Sequence, residues 1–259
     1  MSSTIILYDI PSSTPTKAWT PNPWKARLTL NMKALPYKTV WVEYPDIAGL
    51  CKQIGAEPTQ IKNGEPLYTL PVLQDLATGT VVSDSFKIAQ YLDATYPNTP
   101  FTLVPAGTKA FHAMFLGVWA QKISTYIYPL LGLPSALKLN PRSAEFFRRT
   151  REAMFGMTLE EYTPQGEARA TLWSKARQGL TEIDGWLKEN GQGTVFVMGD
   201  TPSFADAAIY SSIIWLEDML GTDSKEWTEL MAADEGRWAK LVEAFRKWKV
   251  VDEEGLKSA

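Results

Sequence analysis

Two short stretches carry residue types whose spacing suits chemistry. The first is Tyr68-Thr69-Leu70-Pro71-Val72-Leu73. A proline leading a strand cannot donate to the ladder at that point. As an ordinary trans proline it marks a strand edge, the commoner case. As a cis proline it turns the backbone of Leu70 outward, so that Leu70 offers N–H and C=O to an extended peptide in the manner of an added strand. The second is Val82-Ser83-Asp84-Ser85. Asp84 and Ser85 are natural caps for a helix start. A helix N-terminus also receives carboxylates through its free N–H groups, and a neighbouring acid can pair with an ammonium. One turn therefore offers both halves of a site for an α-amino acid.

The elements that would position these residues follow from pattern. Ile5-Ile6-Leu7-Tyr8 reads as a buried strand. A turn-rich loop over Pro11 to Pro15 leads to a helix with Pro23 at its first position, Asn22 as its cap, and Trp24, Leu28 and Leu35 on one face. Lys38 to Tyr44 is β-branched and aromatic and reads as a second strand. Residues 46–55 read as a short helix and 56–67 as loop. Pro71 to Asp75 and Gly79 to Val82 form a hairpin, and a helix follows with Ile88, Tyr91 and Leu92 on one face. This order gives one βαβ unit, an antiparallel pair and a covering helix.

After Pro105 the period becomes helical, over 108–131, 142–160, 165–189, 203–220 and 235–248. Val195-Phe196-Val197 is the one brief strand-like run. Gly199 to Asp206 reads as a capping box, with Ser203 as cap and Asp206 answering from the third helical position. The composition shift at 97–107 is the expected boundary, giving domains 1–97 and 107–259.

Bulk properties exclude several classes. A net charge of -3 over 259 residues gives no electrostatic case for nucleic acid or an anionic membrane as partner. A lone cysteine, Cys51, and a lone histidine, His112, leave no intramolecular disulfide, no multi-cysteine zinc site and little room for a Ser-His-Asp hydrolase; no metal is expected. Met1-Ser2-Ser3-Thr4 leads into no targeting segment, and a cytoplasmic protein is expected. Ten tryptophans is a high count for this length; some must build the core, and a surplus is also what an aromatic-binding pocket would require.

The proline-led strand, the hairpin and the acid-Ser turn together resemble the glutathione site of glutathione transferases. The resemblance implies a thioredoxin-like N-terminal domain followed by an all-helical C-terminal domain, an α/β plus all-α chain. It implies glutathione as co-substrate, with Asp84 and Ser85 on its γ-glutamyl group, Leu70 on its cysteinyl backbone and Pro71 cis. It also places the thiol-activating residue in Trp19-Thr20-Pro21-Asn22-Pro23-Trp24-Lys25, between the first strand and first helix.

A thiol of ordinary pKa, about 8.5, is mostly protonated at neutral pH, and lowering it by about two requires roughly 2.7 kcal/mol of preferential thiolate stabilisation. Thr20 is the best-placed hydroxyl for that role, and Asn22 can add an amide N–H. Both also read as plain turn and cap residues. Tyr8, inside a strand, and Ser12, Ser13 and Thr14 in the loop are rivals. No cysteine occupies this loop, which weighs against the family's cysteine-type members that carry out thiol–disulfide exchange and deglutathionylation, and Cys51 reads as a small buried residue.

The 19–25 spacing, the Trp41 to Ile47 strand end and the long first helical segment resemble a narrower group, the fungal FuA class related to bacterial β-etherases. Its usual residue at the Thr20 position is serine, so threonine is a departure whose methyl crowds the sulfur. A second, aromatic substrate would then lie against Phe111, Phe115, Trp119, Ile123 and Tyr126, a stripe that also fits a plain core. The expected activity is thiolate attack on hydrophobic aromatic electrophiles, with aryl-ether cleavage within its scope. The alternatives are a ligandin-type protein that sequesters aromatic compounds, and a structural role without glutathione, against which Leu70-Pro71 and Asp84-Ser85 argue. The resemblance further implies a homodimer.

Overall fold

The first strand, β1 (Ile5–Asp9), is paired on both sides. This computed structural model describes residues 4–62, 64–191 and 193–257. The outermost residues of the two expected domains, 1–3 and 258–259, lie outside the described residues. β2 (Tyr37–Trp41) runs parallel to β1, while β5 (Val72–Asp75) and β6 (Thr80–Ser83) complete a four-stranded sheet in the order β2-β1-β5-β6. β1 pairs antiparallel with β5, Tyr8 opposite Val72, and β5 with β6, Val72 opposite Ser83. That register sets the Leu70-Pro71 corner beside the end of β1 and the start of the 84–85 turn.

Helices α1 (Pro21–Met32) and α3 (Ser85–Thr95) cover one face, burying Ile5, Leu7, Ala26, Leu30, Leu73, Ile88 and Leu92 together. The opposite surface of α1 packs on α9 (Phe204–Leu220) of the helical half, so α1 is the shared wall of the two domains. A larger apolar cluster continues from Trp24, Leu28 and Met32 into that half.

Three expectations need correction here. α1 begins at Pro21, with Thr20 in the cap position, so Asn22 lies inside the first turn and is not the cap. The preset φ of Pro21 suits the first helical position, whose N–H is unpaired in any case. Residues 60–62 and 65–67 are not loop but two short strands, β3 (Gln60–Lys62) paired antiparallel with β4 (Glu65–Leu67), both exposed. Between β2 and that pair lies α2 (Ile47–Ile54), ended by Gly55 in the left-handed region. Val195 to Val197 forms no strand, only the isolated bridge of Phe196 with Gly199.

The helical half comprises α4 (Lys109–Trp119), α5 (Thr125–Lys138), α6 (Pro141–Phe155), α7 (Leu159–Tyr162), α8 (Gly166–Leu187), α9, α10 (Lys225–Ala232), α11 (Arg237–Phe245) and α12 (Glu253–Lys257). A π-helical segment, Ala120–Ser124, joins α4 to α5. α8 passes so close to it that a Cβ on Gly179 would lie 2.6 Å from the Lys122 carbonyl oxygen, so glycine is needed there for approach. The capping box at α9 is formed as expected: Asp206 accepts from the N–H and the hydroxyl of Ser203, both at 2.8 Å, and from the Val197 N–H at 2.7 Å. No helix among the described residues is long and apolar enough to cross a membrane.

Candidate functional site

The Leu70-Pro71 bond is cis. Leu70 is buried, and among the described residues its N–H and C=O make no hydrogen bond. Unpaired backbone groups at a cleft edge are an unfilled strand position. Asp84, at φ 82°, caps α3: one carboxylate oxygen accepts from the N–H of Phe86 at 2.9 Å and of Lys87 at 3.1 Å. The other oxygen has no partner among the described residues, so one side chain holds the helix start and keeps an acceptor open. Ser85 follows as the first residue of α3.

These residues line one groove of about 320 Å³ together with Asn22, Lys25, Thr59, Thr69, Leu116 and Trp119. The sheet domain supplies its floor and the α4–α5 junction its far wall. A second cavity, of about 490 Å³, adjoins it and shares Asn22, Thr69 and Leu70. Thr20 opens into this second space. So do Tyr44, Ile47, Leu67, Tyr68, Phe146 and Met154, and its lining is predominantly apolar.

Thr20 and Asn22 therefore sit at the junction. Neither the Thr20 hydroxyl nor the Asn22 Nδ2 has a partner among the described residues, while Asn22 Oδ1 accepts from Lys25 Nζ at 2.9 Å. Two free donors at the N-terminus of α1, beside the open end of the helix dipole, form a place for an anion such as a thiolate.

The rivals are occupied. Tyr8 donates its hydroxyl to Gln74 at 2.7 Å, and burial with Cys51 nearby pushes its pKa up. Ser12 donates to the Lys17 carbonyl at 2.9 Å and meets Thr14 at 2.8 Å, and Ser13 donates to the Lys138 carbonyl at 3.0 Å. Cys51 is buried in the core, and that burial raises its pKa.

Of the aromatic stripe on the second domain, Trp119 lines the first groove, and its indole N–H is bound to Ser212 at 3.1 Å. Phe111, Phe115 and Trp119 form a ladder with ring centroids 6.2 and 6.4 Å apart. Phe115 and Ile123 are buried in the core, Phe111 is exposed, and Tyr126 lies under Lys175. The wall of the apolar cavity comes instead from α6, where Phe146, Thr150 and Met154 recur every fourth residue, and from Tyr44 ahead of α2. Phe146 stacks on Tyr44 with centroids 6.1 Å apart. That i, i+4, i+8 recurrence was the available signal in the sequence.

A four-stranded sheet with a cis-proline corner, joined through α1 to a helical domain, defines a two-domain protein of thioredoxin-like fold with an all-helical second half. The family described as glutathione S-transferase, N-terminal domain, matches residues 19–95, and the glutathione S-transferase C-terminal domain matches residues 110–248. The glutathione S-transferase-like protein ustS of Aspergillus flavus is 31% identical over 95% of this chain and 91% of its own. This chain belongs to the glutathione S-transferase family. A glutathione S-transferase of Ceriporiopsis subvermispora, solved in complex with glutathione, is 47% identical with a TM-score of 0.93, covering 97% of this chain and 100% of that one. Glutathione transferase GSTFuA3 from Phanerochaete chrysosporium is 43% identical with a TM-score of 0.91, covering 96% and 99%. The chain thus closely resembles the fungal FuA transferases.

Proposed function

We propose that this chain binds glutathione along the first groove, ionises its thiol between Thr20 and Asn22, and delivers the thiolate to a hydrophobic aromatic electrophile in the adjoining cavity. The γ-glutamyl ammonium pairs with the open oxygen of Asp84, and the carboxylate meets Ser85 and the α3 N-terminus. The cysteinyl backbone pairs with the free N–H and C=O of Leu70. The glutathione held by the Ceriporiopsis relative supports this reading.

The observation that carries the proposal is the sharing of Asn22, Thr69 and Leu70 by the two spaces. A tripeptide anchored at Asp84 and Leu70 extends its sulfur to that junction, where the adjoining cavity is lined mainly by apolar residues. The thiol proton passes to solvent. The sulfur lone pair forms a C–S bond at the electron-poor aromatic carbon, and the leaving group, a halide or an ether oxygen, departs with its bonding pair. Held reactants gain mainly from proximity, with the two donors stabilising the nucleophile's charge.

Turnover of an activated halonitroarene by the wild type and Thr20→Ala tests the chemistry, and retention on immobilised glutathione by the wild type and Asp84→Ala tests the binding. Loss of turnover in Thr20→Ala and of retention in Asp84→Ala is expected. Retention without any wild-type turnover transfers the assignment to sequestration of aromatic compounds.

A further inference from the structure

Lys25 lies one turn after Asn22 on α1 and faces the first groove with Leu70, Asp84 and Ser85. Its Nζ donates to Asn22 Oδ1 at 2.9 Å, and among the described residues no carboxylate pairs with it. Burial pushes its pKa down to about 8, with the charge of Asp84 pulling the other way. Asp84 is also the one other ionisable side chain lining this groove; Lys62 and Arg151, both cations, and Tyr44 and Tyr68 line the adjoining cavity. A half-buried ammonium with no directly paired carboxylate is costly unless a ligand brings further negative charge.

The bond to Asn22 decides which end of the amide faces the substrate. A primary amide offers an acceptor oxygen on one side and two N–H donors on the other. With Oδ1 held by the ammonium, Nδ2 is the end left open, and a thiolate is stabilised only by that end. The charge-assisted bond also polarises the amide and strengthens its free N–H as a donor.

We propose that Lys25 is a positioning residue for the thiolate: it holds Asn22 with its donor end outward and supplies, through that amide, the positive charge that favours ionised sulfur. This rests on the reading above that Asn22 touches the sulfur.

The test reads the thiol pKa of bound glutathione from thiolate ultraviolet absorbance across pH, in the wild type, Lys25→Met, Lys25→Arg and Asn22→Ala. Affinity for S-methylglutathione, which has no ionisable thiol, is measured in parallel. Lys25→Met is expected to raise the bound thiol's pKa by about 1, a roughly tenfold loss of thiolate below it, and Lys25→Arg to return most of it. S-methylglutathione affinity should stay within about twofold of the wild type in both lysine variants. An unchanged thiol pKa in Lys25→Met overturns the proposal. So does a loss of S-methylglutathione affinity as large as the loss of thiolate, which would make Lys25 a plain contact to the peptide's carboxylates. If Asn22→Ala raises the thiol pKa while Lys25→Met does not, only this proposal falls. If Asn22→Ala leaves it unchanged, the assignment of Asn22 falls and the proposal falls with it.

Discussion

The guanidinium of Arg27 donates to the carboxylate of Asp9 across 2.7 Å, with both side chains withdrawn from solvent. Arg27 projects from α1 and Asp9 ends β1, so the pair ties the helix capped at Thr20 to an inner strand of the sheet. The same guanidinium donates to Thr39 at 2.9 Å and lies 3.5 Å from Asp252, a residue of the C-terminal segment that also bonds Thr39. Asn31 adds bonds to the carbonyls of Trp248 at 2.7 Å and Val250 at 2.9 Å. The chain end is thereby strapped over β2, and α1 is held on both sides.

Removing one member of a buried pair leaves the other charge uncompensated. Arg27→Met should therefore lower stability by roughly 3–5 kcal/mol in urea unfolding. Adding Asp9→Asn should recover part of that loss, because the orphaned charge is gone while the acceptor for the Ile10 N–H, at 2.6 Å, is kept. A single-variant loss below about 1 kcal/mol would mean that solvent reaches the pair.

Thr20 has the backbone of a helix cap, φ -87° and ψ 138°, yet its side chain makes no capping bond. A capping hydroxyl is typically worth about 1 kcal/mol, and here none of that is in use. Thr20→Ala should accordingly leave the melting temperature unchanged while lowering kcat/KM roughly ten- to hundredfold, the loss of one hydrogen bond to a charged sulfur. Thr20→Ser keeps the hydroxyl and removes the methyl, so its turnover should equal or exceed that of the wild type. A Thr20→Ala protein that melts several degrees lower with full activity per folded molecule would place the hydroxyl in the fold and not in the chemistry.

Much of the site's scaffold was legible. Alternating and β-branched runs marked the sheet, and the proline and acid-Ser turn marked the groove, because their local backbone needs are written in residue type. The β3–β4 pair was not, since Gln60, Ile61, Lys62, Glu65, Pro66 and Leu67 are all exposed and carry no inward-facing alternation. The Asn-Gly pair at positions 63 and 64, a turn dipeptide, was its one sign in the sequence. α10 and α12 lie outside the helical segments read from the sequence, and α12 spans only five residues. α12 owes its place to distant partners: the Trp41 indole donates to the Gly255 carbonyl at 2.7 Å. Whether an aromatic stripe faces a cavity or the core is a tertiary fact, and α4 buries Phe115 in the core while α6 opens Phe146 and Met154 to the cleft.

Asp218, near the end of α9, has its pKa raised to about 6: burial outweighs the pull of Lys249 and Lys138, and Glu217 adds to the rise. One of its carboxylate oxygens is buried without a partner. Between the ordinary carboxylate range and about 6, the folded chain holds a proton here that the unfolded chain has released. This group's contribution to stability therefore falls as pH rises through that window and is fully unfavourable above it. Asp206 acts in the same direction, also raised to about 6 by burial. Buried His112, whose pKa is lowered, opposes them near its own range. Asp218→Asn isolates one contribution: it should melt higher than the wild type at pH 7.5, with the difference clearly smaller at pH 5 and closing only below the ordinary carboxylate range. Equal differences at both pH values would mean that Asp218 does not titrate in this window.

The apolar cavity gives the last prediction, a contrast between two phenylalanines. Phe146 stacks on Tyr44 and faces the space into which Thr20 opens. Phe111 lies on the outer part of α4 and is 41% exposed. If the aromatic electrophile occupies that cavity, Phe146→Ala removes contact area worth about 1.5–3 kcal/mol when fully buried, so its KM for the electrophile should rise by roughly tenfold or more. Its KM for glutathione should not change, because no part of Phe146 borders the first groove. Phe111→Ala should leave both constants near the wild type. The reverse pattern, in which Phe111→Ala weakens the electrophile and Phe146→Ala does not, would return the second substrate to α4. It would require the tripeptide's sulfur to face away from the cavity that shares Asn22, Thr69 and Leu70 with its own groove.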